Sequence, residues 1–210
     1  MISKNIYKNF SFNTKYKKKL IEFFKHNTTI ENGGYKIFDN TYNDLLQNPD
    51  ELCELIFFLK KRKNNESYLE IGFGHGLTNT ILNKFFSFKK IVAVDPFGAH
   101  IRGNTLIPNI RFKNLILICQ KTNSQIVKNE LKKLAPFDII LIDGDHSYDA
   151  VKYDFNVVKN FVKKGSVIVF HDINFEDSGS MKFWKSIKKE YKTKEIIAPS
   201  NSYGFGIVTF

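Results

Sequence analysis

From residue 67 onward, short apolar runs alternate with longer amphipathic segments. The short runs, rich in isoleucine and valine, are SYLEIG, KIVAVD, LILIC, FDIILID and SVIVFHD. Between them, apolar residues recur at helical spacing in LTNTILNKFF, NSQIVKNELKKL and DAVKYDFNVVKNFVKK. Short buried runs separated by helices are typical of parallel strands that are covered on both faces. The pattern therefore predicts an α/β fold built on a mostly parallel sheet.

The flanking segments extend this pattern. Upstream, NPDELCELIFFLKKRK begins with Asn-Pro and has acids in its first turn and lysines in its last, which predicts an amphipathic helix. Downstream, MKFWKSIKKEY predicts a helix whose inner side carries Phe183, Trp184 and Ile187. The closing KEIIAPSNSYGFGIVTF predicts a hairpin with at least one antiparallel strand. Gly165, between the last long helix and its strand, stands where a C-terminal helix cap is expected.

The overall composition is that of a globular protein with an excess of positive charge. The chain has 210 residues, 42% of them hydrophobic and 25% charged, and a net charge of +11. That charge suits a polyanionic partner, but the lysines are scattered over helix ends and polar faces, where they are favourable without any partner. We therefore expect an ordinary basic surface rather than a nucleic-acid interface.

Three features bear on location and organisation. No apolar run approaches the roughly 20 residues that cross a bilayer, and the first residues carry no apolar signal segment. Cys53 and Cys119 lie far apart in apolar patterns, which predicts buried thiols in a reducing compartment and hence a soluble cytoplasmic protein. Residues 1–45, basic and aromatic, form a predicted N-terminal extension that caps the strand ends or makes a homodimer contact.

The stretch YLEIGFGHG places three alternating glycines between a predicted strand and a predicted helix. Gly72, Gly74 and Gly76 let the backbone approach a ligand and present helix amides to it. A dinucleotide fingerprint would need a glycine at the position of Leu77, and a phosphate loop would end in Gly-Lys-Ser/Thr. The carboxylate of Glu70, just before the glycines, would repel a pyrophosphate but suits a cation.

A second acid follows the second predicted strand. Asp95 lies 19 residues beyond Gly76, which matches the spacing of about 20 for an acid that hydrogen-bonds a ribose. The implied ligand has a ribose and a positive charge and lacks phosphates. S-adenosylmethionine fits this description through its sulfonium and ammonium groups.

With these motifs, the chain from about residue 45 resembles the class I S-adenosylmethionine-dependent methyltransferases. LEIGFGHG resembles their first motif and VAVDPFG their second. The resemblance is strongest to a bacterial group of O-methyltransferases, many of which act on sugars or other small metabolites. The shared features are Gln47, Asp50 and Leu52 before the turn, IDGDHSYD after the fourth strand, and His171-Asp172 after the fifth. The group's usual Ser-Thr pair after the last glycine is Leu77-Thr78 here.

The resemblance implies a Rossmann-like three-layer α/β/α sandwich over residues 46–210. Its sheet would have seven strands, mostly parallel, with an antiparallel C-terminal strand. It also implies S-adenosylmethionine as cofactor, held by Glu70, Gly72, Gly74, His75, Gly76, Thr78, Asp95, Pro96, Ser124 and Asp143. The loop 120–124 lies where adenine is bound in this fold, and Ser124 is equally a natural helix N-cap.

The candidate catalytic residues follow the fourth and fifth strands, whose ends line the ligand crevice of an open sheet. Asp143, Asp145 and His146 follow the fourth strand, and His171 and Asp172 follow the fifth. A hydroxyl acceptor must lose its proton to a base or to a metal-assisted group. We expect His146 or His171 to take this proton while Asp143 and Asp172 bind ammonium, acceptor or metal. In the structural alternative, either histidine only orients its neighbours and Asp145 closes an Asx turn or caps a helix.

A divalent metal remains an open alternative. Related metal-dependent O-methyltransferases use acids after the fourth and fifth strands, which correspond to Asp143 and Asp172 with His171 nearby. Two carboxylates and an imidazole suit Mg²⁺ or a softer ion. Many relatives work without one, so the resemblance does not require it.

The leading hypothesis is O-methylation of a hydroxyl on a small molecule such as a sugar. One alternative, motivated by the charge, is an RNA methyltransferase. Against it, the fourth strand ends in DGDH and lacks the Asn/Asp-Pro-Pro-aromatic motif that methylates base amines. A second alternative is a non-catalytic protein that binds adenosylmethionine. No membrane partner is expected.

Overall fold

The structure is a computed structural model that describes residues 47–74, 76–96, 114–199 and 202–210. The predicted extension 1–45 and His75 lie outside the described residues. The described elements are, in chain order, α1 (Pro49–Lys60), β1 (Ser67–Ile71), α2 (Leu77–Phe86), β2 (Lys90–Val94), β3 (Leu115–Ile118), α3 (Gln125–Leu134), β4 (Phe137–Ile142), α4 (Tyr148–Val158), a 3-10 turn (Lys159–Phe161), β5 (Val162–His171), α5 (Gly179–Ile187), β6 (Lys192–Ile196) and β7 (Phe205–Thr209).

The seven strands form one sheet in the order β3-β2-β1-β4-β5-β7-β6. Strands β1 to β5 pair in parallel, whereas β7 is inserted between β5 and β6 and runs antiparallel to both. The predicted fold class, a mostly parallel seven-stranded sheet with an antiparallel C-terminal strand, is confirmed. The predicted terminal hairpin is confirmed as well, since β6 and β7 pair directly.

Helices cover both faces of the sheet because successive side chains of each strand point to opposite faces. On one face, Tyr68 of β1 belongs to a core that includes Leu52 of α1 and Ile81 of α2. On the other face, the neighbouring Leu69 belongs to a core supplied by α3, α4 and α5. Phe183, Trp184 and Ile187 of α5 are buried, as their spacing predicted. The fold is therefore the predicted three-layer sandwich.

Local signals placed the ends of helix α1 well. The side chain of Asn48 accepts a hydrogen bond from the amide of Asp50 at 2.8 Å and caps the helix, which begins at Pro49. Acids occupy its first turn and Lys60 its last turn, where each favours the helix dipole. Within the described ranges, no helix is both long enough and apolar enough to cross a membrane.

Two local predictions were wrong. Gly165 does not cap α4: that helix ends at Val158 and passes through the 3-10 turn, and Gly165 lies inside β5 with a φ of +87°. The left-handed backbone is needed there because the register between β4 and β5 shifts over this stretch. Cys119 is exposed, unlike the buried Cys53, because it follows the end of β3, an edge strand of the sheet.

The packing of Trp184 against β7 gives a test of the core. A Cβ at Gly206 would lie 2.7 Å from atoms of the buried Trp184 ring, whereas one at Gly144 would meet its nearest neighbour at 3.6 Å. We expect Gly206→Ala to lower the free energy of unfolding by about 1–3 kcal/mol because the indole cannot move without disturbing the core. Gly144→Ala is the matched control and should change it by less than about 0.5 kcal/mol. Urea denaturation measures both, and equal effects would contradict this packing.

Candidate functional site

The candidate site lies where the strand order reverses. Strand β2 pairs with one edge of β1, and β4 pairs with the other edge of β1. Loops that leave the carboxyl ends of two such strands diverge and form a crevice, where open α/β sheets bind ligands. The crevice is bounded here by the glycine turn after β1 and by the loops after β4 and β5.

The three glycines of the turn have different surroundings. All three have positive φ values: +87° at Gly72, +51° at Gly74 and +73° at Gly76. A Cβ at Gly72 would lie 2.0 Å from the carbonyl oxygen of Asp143, so the turn lies directly against the loop after β4. No atom of the described residues would lie within 4 Å of a Cβ at Gly74. The open part of the turn, where a ligand can approach the backbone, is therefore at Gly74.

Asp95 holds the glycine turn in place. Its Oδ2 accepts hydrogen bonds from the amides of Phe73 and Gly74, both at 2.9 Å, and the residue is only 5% exposed. A carboxylate that accepts two amide hydrogens fixes the conformation of a loop strongly. The acid predicted to bind a ribose therefore also shapes the turn on which the ribose would lie.

Glu70 lies deeper than its predicted role requires. It is 1% exposed, and its Oε2 accepts a hydrogen bond at 2.7 Å from Nδ2 of Asn79 on α2. Burial raises the pKa of Glu70 to about 8, so its carboxyl is mainly protonated at neutral pH. Glu70 thereby joins β1 to α2 through Asn79, and its role at the cofactor site stays a prediction.

Four side chains converge at the ends of β4 and β5, and we call Asp143, His146, His171 and Asp172 the acid–histidine cluster. His171 Nδ1 lies 3.1 Å from Asp143 Oδ1 and 3.3 Å from Asp172 Oδ1. His146 Nε2 lies 2.8 Å from Asp172 Oδ2. Four of the five candidate residues predicted at these strand ends thus form one connected series of contacts.

The two histidines of the cluster differ in burial: His171 is buried and His146 is half-exposed. Burial alone would lower the pKa of His171, but the carboxylates of Asp143 and Asp172 raise it to about 10. The His146 side chain is half-exposed, and its hydrogen bond to Asp172 raises its pKa above the usual value. Burial would raise the pKa of Asp172, yet the bonds from both histidines hold it well below its usual range. His171 and Asp172 therefore form an ion pair at neutral pH.

Asp172 also has an unusual backbone. Its φ is +59°, in the left-handed region that non-glycine residues seldom occupy. The chain leaves β5 at this residue, and the side chain turns back between His146 and His171. Such backbone strain is found preferentially at functional sites. Here the left-handed backbone accompanies the contacts of the Asp172 carboxylate with both histidines.

The sequence alone did not assign contacts to Gln47 and Glu51, two buried residues at the start of the segment that forms α1. Gln47 Nε2 donates to Asp143 Oδ2 at 2.7 Å, and Thr78 Oγ1 donates to Gln47 Oε1 at 2.7 Å. Glu51 accepts hydrogen bonds from the amides of Ala198 at 2.8 Å and Gly204 at 3.0 Å. The family resemblance named Gln47 but gave no partner for it. Glu51 was visible only as an acid in the first turn of a predicted helix.

Two exposed aromatic residues stand beside the cluster. Phe175 and Tyr203 are 45% and 42% exposed, and their rings meet edge to face with centroids 5.4 Å apart. The Tyr203 ring in turn lies 6.2 Å from that of His171. The amide of Asn174 donates to the carbonyl of Tyr203 at 2.7 Å and joins the two loops. The aromatic pair is therefore a fixed wall at the rim of the site.

The remaining predicted residues have simpler surroundings. Ser124 caps α3, accepting from the amide of Ile126 at 3.2 Å, and Asp145 accepts from the amide of Ser147 at 2.8 Å in an Asx turn. Thr78 is buried and Pro96 is exposed. A role for Ser124 in binding adenine stays a prediction.

The donors of the cluster meet one requirement of a metal site. Ligand atoms of Asp143, His146 and Asp172 all lie within 4.8 Å of one another, so they can converge on one ion. Two carboxylates and an imidazole form a donor set that divalent cations accept. The protonated His171 already contacts both carboxylates, and an added cation would share them with it. The spacing thus fits a metal without requiring one.

Comparison with known proteins gives the family. A family model described as "Methyltransferase domain" matches residues 69–173, which is half of the chain. An uncharacterised protein of Acanthamoeba polyphaga mimivirus is 31% identical over an alignment of 116 residues that covers 52% of this chain and 52% of that protein. The chain therefore spans about half the length of the curated relative that it matches.

Several solved structures share the fold. A candidate caffeoyl-CoA O-methyltransferase from Staphylococcus aureus has a TM-score of 0.66 at 14% identity, over 93% of this chain and 99% of that one. CalS11, a TDP-rhamnose 3'-O-methyltransferase of calicheamicin biosynthesis, has a TM-score of 0.60 at 11% identity, over 94% of each. MycE of mycinamycin biosynthesis, bound to Mg and S-adenosylhomocysteine, has a TM-score of 0.52 at 17% identity, over 73% of this chain and 47% of that one.

At these identities the structural likeness establishes the fold alone, and the family rests on the match to residues 69–173. That stretch runs from β1 to the loop after β5 and contains the glycine turn, Asp95 and the whole acid–histidine cluster. This chain belongs to the methyltransferase-domain family.

Proposed function

We propose that this chain is an S-adenosylmethionine-dependent O-methyltransferase that acts on a hydroxyl of a small molecule such as a sugar. The observation that carries the proposal is the acid–histidine cluster, which lies against the open glycine turn where the strand order reverses. One site thereby offers a surface for a nucleoside and a group that can take a proton. Structural relatives that methylate small molecules and bind S-adenosylhomocysteine support the same class of reaction.

For the cofactor, we propose that the ribose lies near Asp95 and the open backbone at Gly74. When bound, S-adenosylmethionine supplies an electrophilic methyl group, and the electron pair of the broken S–C bond returns to sulfur as the acceptor oxygen is methylated. We place the ammonium and sulfonium charges beside Asp143, whose loop packs against the turn at Gly72. Glu70 supports the turn from beneath, through Asn79, rather than by direct contact.

For the proton, we propose that His146 rather than His171 is the general base. His171 is 4% exposed and holds its proton at neutral pH because its pKa is about 10. The half-exposed His146 is oriented by Asp172 through Nε2, so its Nδ1 would receive the proton of the acceptor hydroxyl. Asp172 then stabilises the imidazolium that forms, as an acid paired with a base commonly does.

For the acceptor, the wall formed by Phe175 and Tyr203 supports a ring-shaped molecule. Exposed aromatic faces bind the apolar face of a sugar or an aromatic ring and leave its hydroxyls free to point toward polar groups. If a divalent ion binds, Asp143, His146 and Asp172 would hold it, and its charge would acidify a coordinated hydroxyl. The net charge of +11 keeps an RNA acceptor as the alternative.

Asp95 gives a test of the cofactor site. Asp95→Asn removes the negative charge and one of the two carboxylate oxygens, and it leaves one oxygen that can still accept from the amides of Phe73 and Gly74. We expect S-adenosylhomocysteine to bind about 10- to 100-fold more weakly, a loss of about 1–3 kcal/mol. Isothermal titration calorimetry measures it. Asp149→Asn, in the exposed first turn of α4, is the matched control and should retain wild-type affinity. Unchanged binding by Asp95→Asn would contradict the proposed ribose site.

Glu70 gives a test of the buried neutral acid. Because its pKa is raised from 4.5 to about 8, the folded protein holds a proton that the unfolded chain releases between these values, and its stability falls as pH rises through this window. Glu70→Gln has no carboxyl proton and so lacks this loss, which is up to about 1.4 kcal/mol per pH unit. The free energy of unfolding of the variant should therefore rise relative to that of the wild type between pH 5 and pH 8. Urea denaturation at both pH values measures the gain, with the exposed Glu190→Gln as control. A constant difference would show that Glu70 is ionised.

His146 gives a test of the chemistry. With a panel of sugar and phenol acceptors, we expect His146→Gln to lower kcat by about 10²- to 10⁴-fold and to change the S-adenosylhomocysteine affinity less than threefold. In parallel, the wild-type protein is treated with EDTA and then supplied with Mg²⁺. If its activity is lost with EDTA and recovered with Mg²⁺, the proton transfer follows a metal-assisted route. Full activity of His146→Gln would refute the base. Binding of RNA that weakens steeply with salt would favour the RNA alternative.

A further inference from the structure

We infer that Gln47 is a positioning residue for methyl transfer, which fixes the carboxylate of Asp143 against the first turn of α2. This inference rests on the proposed function. Gln47 lies before α1, 96 residues from Asp143 and 31 residues from Thr78, yet its side-chain amide joins the two. Its two side-chain hydrogen bonds go to Asp143 and Thr78, so its effect on the reaction would pass through these two residues.

The amide of Gln47 is matched to its two partners. Its Nε2 donates to Asp143 Oδ2 and its Oε1 accepts from Thr78 Oγ1, both at 2.7 Å, and the residue is 5% exposed. An amide offers a donor and an acceptor on one planar group, which neither a carboxylate nor an ammonium can do. Both hydrogen bonds lie in a largely buried region, where water competes little for the same groups. The contact therefore fixes the orientation of the Asp143 carboxylate.

This orientation sets the rest of the cluster. With Oδ2 bound by Gln47, the other oxygen of Asp143, Oδ1, faces His171 Nδ1 at 3.1 Å. His171 also contacts Asp172, which orients His146. A continuous series of hydrogen bonds and ion pairs thus leads from α2 to the proposed base. Without Gln47, the Asp143 carboxylate could rotate. The positions of His171, Asp172 and His146 would then be less tightly fixed.

Thr78 supplies the fixed end of the series. It is the second residue of α2, the helix that begins directly after Gly76, and it is 6% exposed. Asn48, which caps α1, fixes the chain next to Gln47 from the other side. Gln47 is consequently held between two helix N-termini, one of which supports the glycine turn. Displacement of that turn would reach the acid–histidine cluster through this amide as well as through the direct contact of Gly72 with the Asp143 carbonyl.

The test compares Gln47→Met, Gln47→Glu and Thr78→Val. Gln47→Met keeps the length of the side chain and removes both hydrogen bonds, so we expect kcat to fall about 10- to 100-fold through misplacement of the cluster. The affinity for S-adenosylhomocysteine should change less than about threefold, because the turn itself is held by Asp95. Gln47→Glu places a second carboxylate against Asp143 and should lower kcat at least as far. Gln125→Met is the matched control, on the exposed side of α3, and should retain wild-type kcat.

A double-mutant cycle separates positioning from general damage. Gln47 and Thr78 belong to one series of contacts. The double variant Gln47→Met/Thr78→Val should therefore have a kcat only slightly below that of Gln47→Met. Thr78→Ser, which restores the hydroxyl, should recover most of the activity that Thr78→Val loses. A fully multiplicative cycle, or equal losses of kcat, cofactor affinity and thermal stability, would overturn the inference.

A spectroscopic measurement distinguishes failure of this inference from failure of the proposed function. The imidazole ¹⁵N resonances of His171 should shift in Gln47→Met and Thr78→Val and stay at wild-type positions in Gln125→Met. If the wild type methylates no hydroxyl acceptor while these shifts occur, the proposed function fails and the positioning by Gln47 stands. If the His171 resonances do not respond to Gln47→Met, the positioning is refuted whatever the activity.

Discussion

The carboxylate of Asp143 is the contact on which the candidate site depends. The backbone carbonyl of Asp143 lies so close to position 72 that only glycine, which has no Cβ, fits there. The loop after β4 and the turn after β1 must therefore form together. The two side-chain oxygens of Asp143 meet Gln47 and His171. One residue at a strand end thereby joins the cofactor turn, the segment before α1 and the acid–histidine cluster.

Charge in the crevice follows from burial and partners rather than from residue type. Glu70 and Asp172 are both buried acids at strand ends, 1% and 5% exposed. Burial dominates at Glu70 and raises its pKa to about 8, whereas bonds from two histidines outweigh burial at Asp172 and hold its pKa low. A neutral acid beneath the turn and an ionised acid beside the histidines suit different tasks. The first task is structural support, and the second is the binding and orientation of positive groups.

Family membership and chemistry rest on different observations. The family follows from the match to residues 69–173, and the fold follows from the sheet order and from structures that share it. Neither identifies an acceptor, because one fold carries many reactions. The proposal of O-methylation therefore depends on local geometry: a half-exposed histidine paired with a buried acid, beside an aromatic wall.

The sequence by itself determined the elements, their order, the glycine turn and the presence of acids and histidines at the ends of β4 and β5. These features are encoded by residues close together in the chain, through helical and strand periodicity and through the conformational freedom of glycine. Only the tertiary structure decided that Gln47 contacts Asp143, that Glu70 is buried deeply enough to stay protonated, that Cys119 is exposed and that Gly165 lies within β5. Each of these depends on how distant segments pack, which sets depth, register and partners and leaves no signal in the local pattern.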